Sequence, residues 1–277
     1  MEIERRDFLK LAAGALTWAM AADPVGAQPA KTEIQWLGQS ATKITTPSGK
    51  VILIDPFLTG NPKTPPAYKN LDALGKIDLI LVTHGHRDHV GDVKELAERT
   101  AAPVLGPAGL LATLVDLGWV KPEKAMGFGK GGHIQPAGSQ ITITQVRAEH
   151  SSEVTVVDPA TKKSTTYPGG EPCGFIVEVE SGLKIYHMGD TGLFGDMRLI
   201  ADYYKPDVIM IPIGGWYVMD PRDAAYATRE ILKPRAAIPF HYGTFPVLRG
   251  TPAEYQQALG QTTTQVFPIN PGDKLQF

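Results

Sequence analysis

Apolar and polar positions change rhythm several times along the chain, and each rhythm predicts an element. Glu33 to Leu37, Ala41 to Thr45 and Lys50 to Ile54 read as three strands, with Thr46-Pro47-Ser48-Gly49 as a hairpin turn. Asp55-Pro56 then opens a long loop that runs to about Lys69. Ile77 to Thr83 is a continuous apolar run bounded by turn residues, which predicts a buried strand. Val93 to Thr100 predicts a short helix with Asp92 as its N-cap. Val104 to Leu105 predicts a strand and Ala108 to Leu117 a helix. Ile134 to Val146 alternates as two strands around a Pro-Ala-Gly turn, the second running from Ile141 to Arg147. Phe175 to Glu180 and Leu183 to His187 form a hairpin across Ser181-Gly182. Val208 to Ile213, Ala236 to Phe240 and Thr264 to Phe267 complete the strands. Helices are expected at Pro221 to Leu232, with proline in its first turn, and at Pro252 to Leu259. No Pro/Ser/Gly linker divides this order and no internal repeat is evident. Two sheets packed face to face with helices outside satisfy it in a single domain.

The first residues follow a different logic. Arg5-Arg6-Asp7-Phe8-Leu9-Lys10 precedes an uncharged run from Leu11 to Ala22, and Val25-Gly26-Ala27 offers small residues for cleavage. This is the pattern of a bacterial secretory signal, and its apolar run is too short to span a bilayer, which takes about 20 residues. The paired arginines resemble a twin-arginine signal, with Glu4 where such signals carry Ser or Thr. Residues 1–27 are therefore expected to direct export to the periplasm or beyond, and residues 28–277 to form the functional domain. No stable membrane insertion is expected once the signal is removed.

Composition narrows the choice of chemistry. A net charge of -2 supplies no basic field for nucleic acid or an anionic membrane. The single cysteine, Cys173, rules out an intramolecular disulfide and a Cys-rich zinc site, and it reads as a small buried apolar residue. Gly 29 and Pro 23 are numerous without a period, which suits short strands and tight turns. No Gly-x-Ser-x-Gly elbow and no phosphate-cradling loop is present.

Thr83-His84-Gly85-His86-Arg87-Asp88-His89 follows directly on a predicted buried strand. Four potential ligands in six residues have no packing explanation, because a core could not satisfy so many polar groups. Neutral imidazole and carboxylate are donors that zinc, iron and manganese accept. His84 and His86 can point to one ion, and Asp88 and His89 to a second. Further candidates stand where other strands end: His150 after Ile141 to Arg147, Asp190 after Leu183 to His187, and His241 after Ala236 to Phe240.

His-x-His-x-Asp-His, followed by a lone His, a lone Asp and a final His, resembles the metallo-β-lactamase superfamily from about residue 33 onward. The resemblance implies a four-layer αββα sandwich of α/β class. It also implies that His84, His86 and His150 bind one metal, that Asp88, His89 and His241 bind the other, and that Asp190 bridges them. Trp36-Leu37-Gly38, Asp55-Pro56-Phe57, His150-Ser151-Ser152, Gly189-Asp190-Thr191 and Pro239-Phe240-His241-Tyr242 are similar to one branch. That branch holds poorly characterised metal-dependent hydrolases related to ascorbate-6-phosphate lactonase and to the phospholipase D that cleaves N-acyl phosphatidylethanolamine. Its usual Gly-His-Ser is Gly38-Gln39-Ser40 here.

Two divalent ions, zinc before manganese or iron, are the implied cofactors. They would activate a shared hydroxide to cleave an ester, lactone or phosphodiester bond of a small-molecule substrate. Asp88 and Asp190 are the expected catalytic carboxylates, with Asp88 passing a proton to the leaving group. Asp55 either orients a histidine ligand or is a turn residue before Pro56. Ser151, Ser152, His133 and His187 are read as structural. Tyr242 and Thr244 are candidate substrate contacts, and Trp216 with Tyr217 could form an aromatic wall. Loops 56–69, 151–174 and 214–223 are expected to shape the pocket, the middle one with a small hairpin. A true β-lactamase, an iron-loaded redox protein and a metal-binding protein without turnover are the alternatives. The redox reading wants a flavin partner domain that the sequence lacks, and the intact ligand set argues against loss of turnover. Related lactonases assemble into oligomers, so a homo-oligomer is a further expectation.

Overall fold

The computed structural model describes residues 30–136 and 140–277, and the expected leader, residues 1–27, lies outside them. Lys31–Phe277 form one compact unit. Three antiparallel strands lead: β1 (Glu33–Gly38), β2 (Ala41–Thr45) and β3 (Val51–Ile54). β4 (Leu79–Leu81), β5 (Val104–Pro107) and β6 (Ala125–Phe128) then add in parallel. Helices α1 (Arg87–Val90), α2 (Val93–Arg99) and α3 (Ala108–Asp116) lie between them in sequence.

The second sheet opens with β7 (His133–Ile134) and β8 (Thr142–Arg147). A separate ribbon of β9 (Glu153–Val157) and β10 (Ser164–Pro168) is the small hairpin expected in the middle loop. β11 (Cys173–Glu178) and β12 (Lys184–His187) return to the sheet. α4 (Met197–Leu199), β13 (Val208–Pro212), α5 (Pro221–Tyr226), β14 (Ala236–Phe240), α6 (Pro252–Leu259) and β15 (Gln265–Val266) follow. β16 (Lys274–Gln276) pairs with β1, so the first sheet has the order β16-β1-β2-β3-β4-β5-β6 and the second β15-β14-β13-β12-β11-β8-β7.

Alternation along the strands explains the layers. Ile52 and Ile54 face Phe175, Val208 and Ile238 between the sheets, whereas Leu53 faces the helices. Leu37, Leu53 and Ile80 pack under Val93, Leu96, Leu110 and Leu114 of α2 and α3. On the far side Ile209, Ile211 and Ala237 pack against Met197, Ala224 and Tyr255 of α4, α5 and α6. This is the αββα sandwich the sequence implies.

Several expectations change in detail. The run Ile77 to Thr83 is regular strand only over Leu79–Leu81, because the Thr83 amide donates to Asp55 Oδ1 at 2.7 Å. Asp92 does not cap α2; its buried carboxylate instead accepts from the Leu58 amide at 2.5 Å and the Thr59 amide at 3.0 Å, tying the long loop to the helix. The cap geometry is complete at α5, where Asp220 accepts from the amides of Arg222 and Asp223, and at α6, where Thr251 and Glu254 cap each other. β6 and β16 were not expected from the sequence. Among the described residues no helix is long and apolar enough to cross a membrane.

Candidate metal centre

β3, β4, β8, β12 and β14 all run the same way within their sheets, so their C-terminal ends meet at one rim of the sandwich. Beyond a strand end the backbone leaves its ladder and can aim side chains at a common point. Asp55 follows β3, the His84–His89 segment follows β4, His150 follows β8, Asp190 follows β12 and His241 follows β14. The rim is stitched across the sheets: the His241 amide donates to the Gln39 carbonyl at 3.1 Å and the Cys173 amide to the Thr83 carbonyl at 3.0 Å.

All seven candidate ligands come together there, in two groups. In the first, His84 Nε2 lies 3.0 Å from His86 Nδ1, which is 3.2 Å from His150 Nε2. In the second, Asp88, His89, Asp190 and His241 each offer one donor atom within 4.8 Å of the others. Asp190 joins the groups, and each of its oxygens faces one of them. Its Oδ2 is 4.0 Å from His84 Nε2 and 3.7 Å from His150 Nε2. Its Oδ1 is 3.3 Å from His89 Nε2 and 3.0 Å from His241 Nε2.

The backbone of this rim is held in costly conformations. Gln39, Asp55 and His241 have φ of 52, 49 and 57°, in the left-handed region that side chains of L-residues avoid. Such conformations cost on the order of 1–3 kcal/mol each and persist only where the surroundings dictate them. Gly189 solves the same problem just before Asp190: at φ 61° a Cβ would stand 2.9 Å from the Cys173 carbonyl oxygen and 3.0 Å from Thr83.

One buried carboxylate orients a histidine in each group. Asp55 Oδ2 accepts from His89 Nδ1 at 2.8 Å, from Thr83 Oγ1 at 2.7 Å and from Ser40 Oγ at 2.8 Å. With its own proton committed to Asp55, Thr83 Oγ1 accepts from His84 Nδ1 at 3.0 Å. This network assigns both Nδ1 atoms as N–H and leaves both Nε2 atoms aimed into the centre. Asp55 thus orients His89 directly and His84 through Thr83, and the turn reading does not account for it. Glu153, not singled out in the sequence, stands 3.5 Å from His86 Nε2.

Electrostatics separates the groups. Burial pushes His84 well below the ordinary imidazole value, with His89 adding to it, and burial lowers His150. Burial works the same way on His89 and His241, yet carboxylates outweigh it. His89 is raised well above the usual range by Asp190, Asp55 and Asp88, and His241 is raised to about 9 by Asp190 and Asp88. Asp190 and Asp88 are lowered in return, because the charges of those histidines outweigh the cost of burial. His89 Nε2 and Asp190 Oδ1 are nevertheless buried without a hydrogen-bond partner. Buried polar atoms left unpaired are expensive, and a divalent ion among neutral imidazoles and carboxylates would satisfy them. The residues therefore fit a pair of divalent metal ions.

In front of the ligands is a cavity of about 400 Å³, walled by Phe57, Tyr217, Phe245 and Leu248 and reached by Asp88, His86 and Arg87. That volume is in the range of small-molecule sites. Gln39 reaches it as well, and its Nε2 donates to Asp88 Oδ2 at 2.7 Å. Tyr217 is the wall residue, while Trp216 is exposed and lines a separate surface cavity. Tyr242 and Thr244 do not line the cavity. Tyr242 packs on Trp36 with ring centroids 5.3 Å apart and donates to the Ile269 carbonyl, and burial pushes its hydroxyl up to about 12. Thr244 is buried.

Ser152 is structural, accepting from the Gly85 amide and donating to the Gly169 carbonyl. Ser151 Oγ lies 3.4 Å from His86 Nε2. His187 is structural too, with its Nε2 3.0 Å from the Ser40 carbonyl, and His133 is exposed on β7. Cys173 is buried, which pushes its thiol well above the usual value. Phe245, Leu248 and Arg87 were missed in the sequence; only their adjacency to His241 and His86 could have marked them.

Comparison with known proteins agrees with this geometry. Residues 50–242 match the Beta-lactamase superfamily domain. Over 251 residues the chain is 57% identical to a UPF0173 metal-dependent hydrolase of Cupriavidus metallidurans, spanning 90% of this chain and 86% of that protein. A solved metallo hydrolase from the archaeon Ignicoccus hospitalis is similar at 32% identity with a TM-score of 0.76, over 89% of this chain and 98% of its own. A metallo-β-lactamase fold protein of Bacillus subtilis shares the fold at 12% identity, with a TM-score of 0.63 over 89% of this chain and 100% of its own.

Proposed function

The chain belongs to the β-lactamase superfamily and, within it, to the UPF0173 metal-dependent hydrolases, and we propose that it cleaves an ester, lactone or phosphodiester bond of a small substrate with a pair of divalent metal ions. His84, His86 and His150 would hold one ion, Asp88, His89 and His241 the other, and Asp190 would serve both. The observation that carries this reading is the division of the Asp190 carboxylate, Oδ2 toward the first group and Oδ1 toward the second.

When bound, such ions polarise a substrate oxygen and lower the pKa of water from 15.7 toward about 7. The protein's own residues supply the rest. Asp55 and Thr83 hold the Nδ1 protons of His89 and His84, so that their Nε2 atoms are the ones aimed inward. Asp88, held by the Gln39 amide at the cavity floor, is placed to take a proton from the attacking water and return it to the leaving group. Phe57, Tyr217, Phe245 and Leu248 give the substrate an apolar wall beside the reacting centre. Zinc is the expected ion, and manganese and iron suit the same donors.

The test is metal content per chain on protein purified without chelator, alongside a panel of lactone, phosphodiester and β-lactam substrates. About two zinc or manganese ions per chain with turnover of a lactone or phosphodiester is the expected result. Two irons without turnover, or no bound metal after reconstitution, would overturn the reading. Export is the second part of the proposal: Arg5-Arg6, the uncharged run from Leu11 to Ala22 and Val25-Gly26-Ala27 support a cleaved leader and a hydrolase in the periplasm or outside the cell. Cell fractionation should find the mature protein there, and replacing Arg5 and Arg6 with lysine should retain the precursor inside; export unaffected by that change would refute a twin-arginine route.

A further inference from the structure

The cavity in front of the ligands shares part of its wall with a second one. A side groove of about 420 Å³ shares Phe57, Gly60 and Arg87 with it and is otherwise walled largely by Val90, Trp119, Val156 and Val157. Val156 and Val157 come from β9, so the β9–β10 ribbon forms one bank of the groove. Arg87 lines both spaces and is the one Lys or Arg among the residues lining either of them.

Its guanidinium, unlike those of the other described arginines without an ion pair or side-chain hydrogen bond, Arg198, Arg222 and Arg235, lines the cavity in front of the ligands. Arg99 pairs with Asp72 and Glu95, Arg147 with Glu149 and Asp196, and Arg229 with Glu230. Arg87 makes no ion pair or side-chain hydrogen bond among the described residues, although it lies within one residue of Asp88. Arg87 is exposed, and its five donors form a planar fork suited to a carboxylate or phosphate.

Resting on the hydrolase reading above, we infer that the substrate is an amphiphilic anion. Its carboxylate or phosphate sits on Arg87, its scissile bond lies in front of the ligand cluster, and an apolar arm extends into the groove between Trp119 and Val157. The anionic group therefore stands between the arm and the bond that is cut. A neutral, compact ester or lactone would leave both Arg87 and the groove unused.

Binding can be read without turnover, so failure here is distinct from failure of the hydrolase reading. Calorimetric titration of the metal-loaded full chain would use octanoate, octanamide, butanoate and octyl phosphate, with metal content measured on every variant. Octanoate or octyl phosphate should bind about 10- to 100-fold more tightly than octanamide, the comparison between the two anions identifying the preferred head group. Arg87→Gln should remove that preference while leaving octanamide binding and metal content unchanged. Binding should tighten about two- to fourfold for each methylene from butanoate to octanoate, and Val157→Asp should abolish this dependence. A preference for the anion that survives in Arg87→Gln would show that the ligand cluster holds it, and would overturn the assignment. Equal binding of octanoate and octanamide, no binding of either, or no dependence on chain length would overturn it as well.

Discussion

The two ligand groups both rest on histidines, and those histidines behave in opposite ways. The outer group, His84, His86 and His150, has no carboxylate of its own, and two of its three members are only half-buried. Burial lowers the proton affinity of His84 and His150. The inner group brings His89 and His241 against Asp88, Asp190 and, for His89, Asp55; there the carboxylates win and both imidazoles are raised. Imidazole burial alone therefore does not decide proton or metal affinity. The number of buried carboxylates it must share does, because an uncompensated anion in a low-dielectric site demands a cation. The inner group should hold its ion more firmly than the outer one.

The largest effect expected is from Asp190→Ala, which removes the group common to both. Hydrolysis should be abolished and metal content should fall below about one ion per chain, whereas His86→Ala should abolish hydrolysis but retain about one. Elemental analysis beside activity checks this, and full activity in either variant would refute the mechanism. Asp55→Ala comes next, with a loss on the order of 10- to 100-fold in metal affinity or activity, since it orients one histidine in each group. Thr83→Val, which interrupts only the relay to His84, should fall at the lower end of that range. No change in competition titrations of Asp55→Ala would return it to a turn role.

The third effect is graded with pH. His241 is raised from 6.5 to about 9, so below about 9 an incoming metal must displace its proton. Zinc uptake by chelator-treated protein should weaken about tenfold per pH unit per displaced proton as pH falls from about 8 to 6. In the metal-free protein the same protonated pair contributes stability that is fully present below 6.5 and is lost as pH rises through about 9. Zinc affinity that is flat with pH would remove the distinction between the groups.

The sequence reached the clustered donor residues more readily than the pocket, for physical reasons. His84 to His89 are unmistakable because no core or loop has use for so many donors, and His150, Asp190 and His241 could be added because each ends a strand. Asp55 remained ambiguous until its left-handed conformation and its contacts with His89 and Thr83 were visible. Asp92 looks like a helix cap from its position alone, and only the approach of Leu58 and Thr59 gives its carboxylate another task. β16 escapes because Lys-Leu-Gln has no strand signature apart from its partner β1. Trp216 and Tyr217 are equal candidates in sequence, and the turn between them sends Tyr217 to the cavity and leaves Trp216 78% exposed.

What the sequence determined by itself was therefore local: strand and helix periods, strand ends, and the donor types placed at them. These follow from backbone geometry and from the cost of burying polar atoms, which act over a few residues. The tertiary structure decided which Asp190 oxygen faces which group and which imidazoles stay protonated. It also decided that Arg87, unpaired, lines two cavities. Those depend on distances between segments far apart in the chain, where Coulomb energy and burial change over a few ångströms and leave no trace in spacing along the sequence.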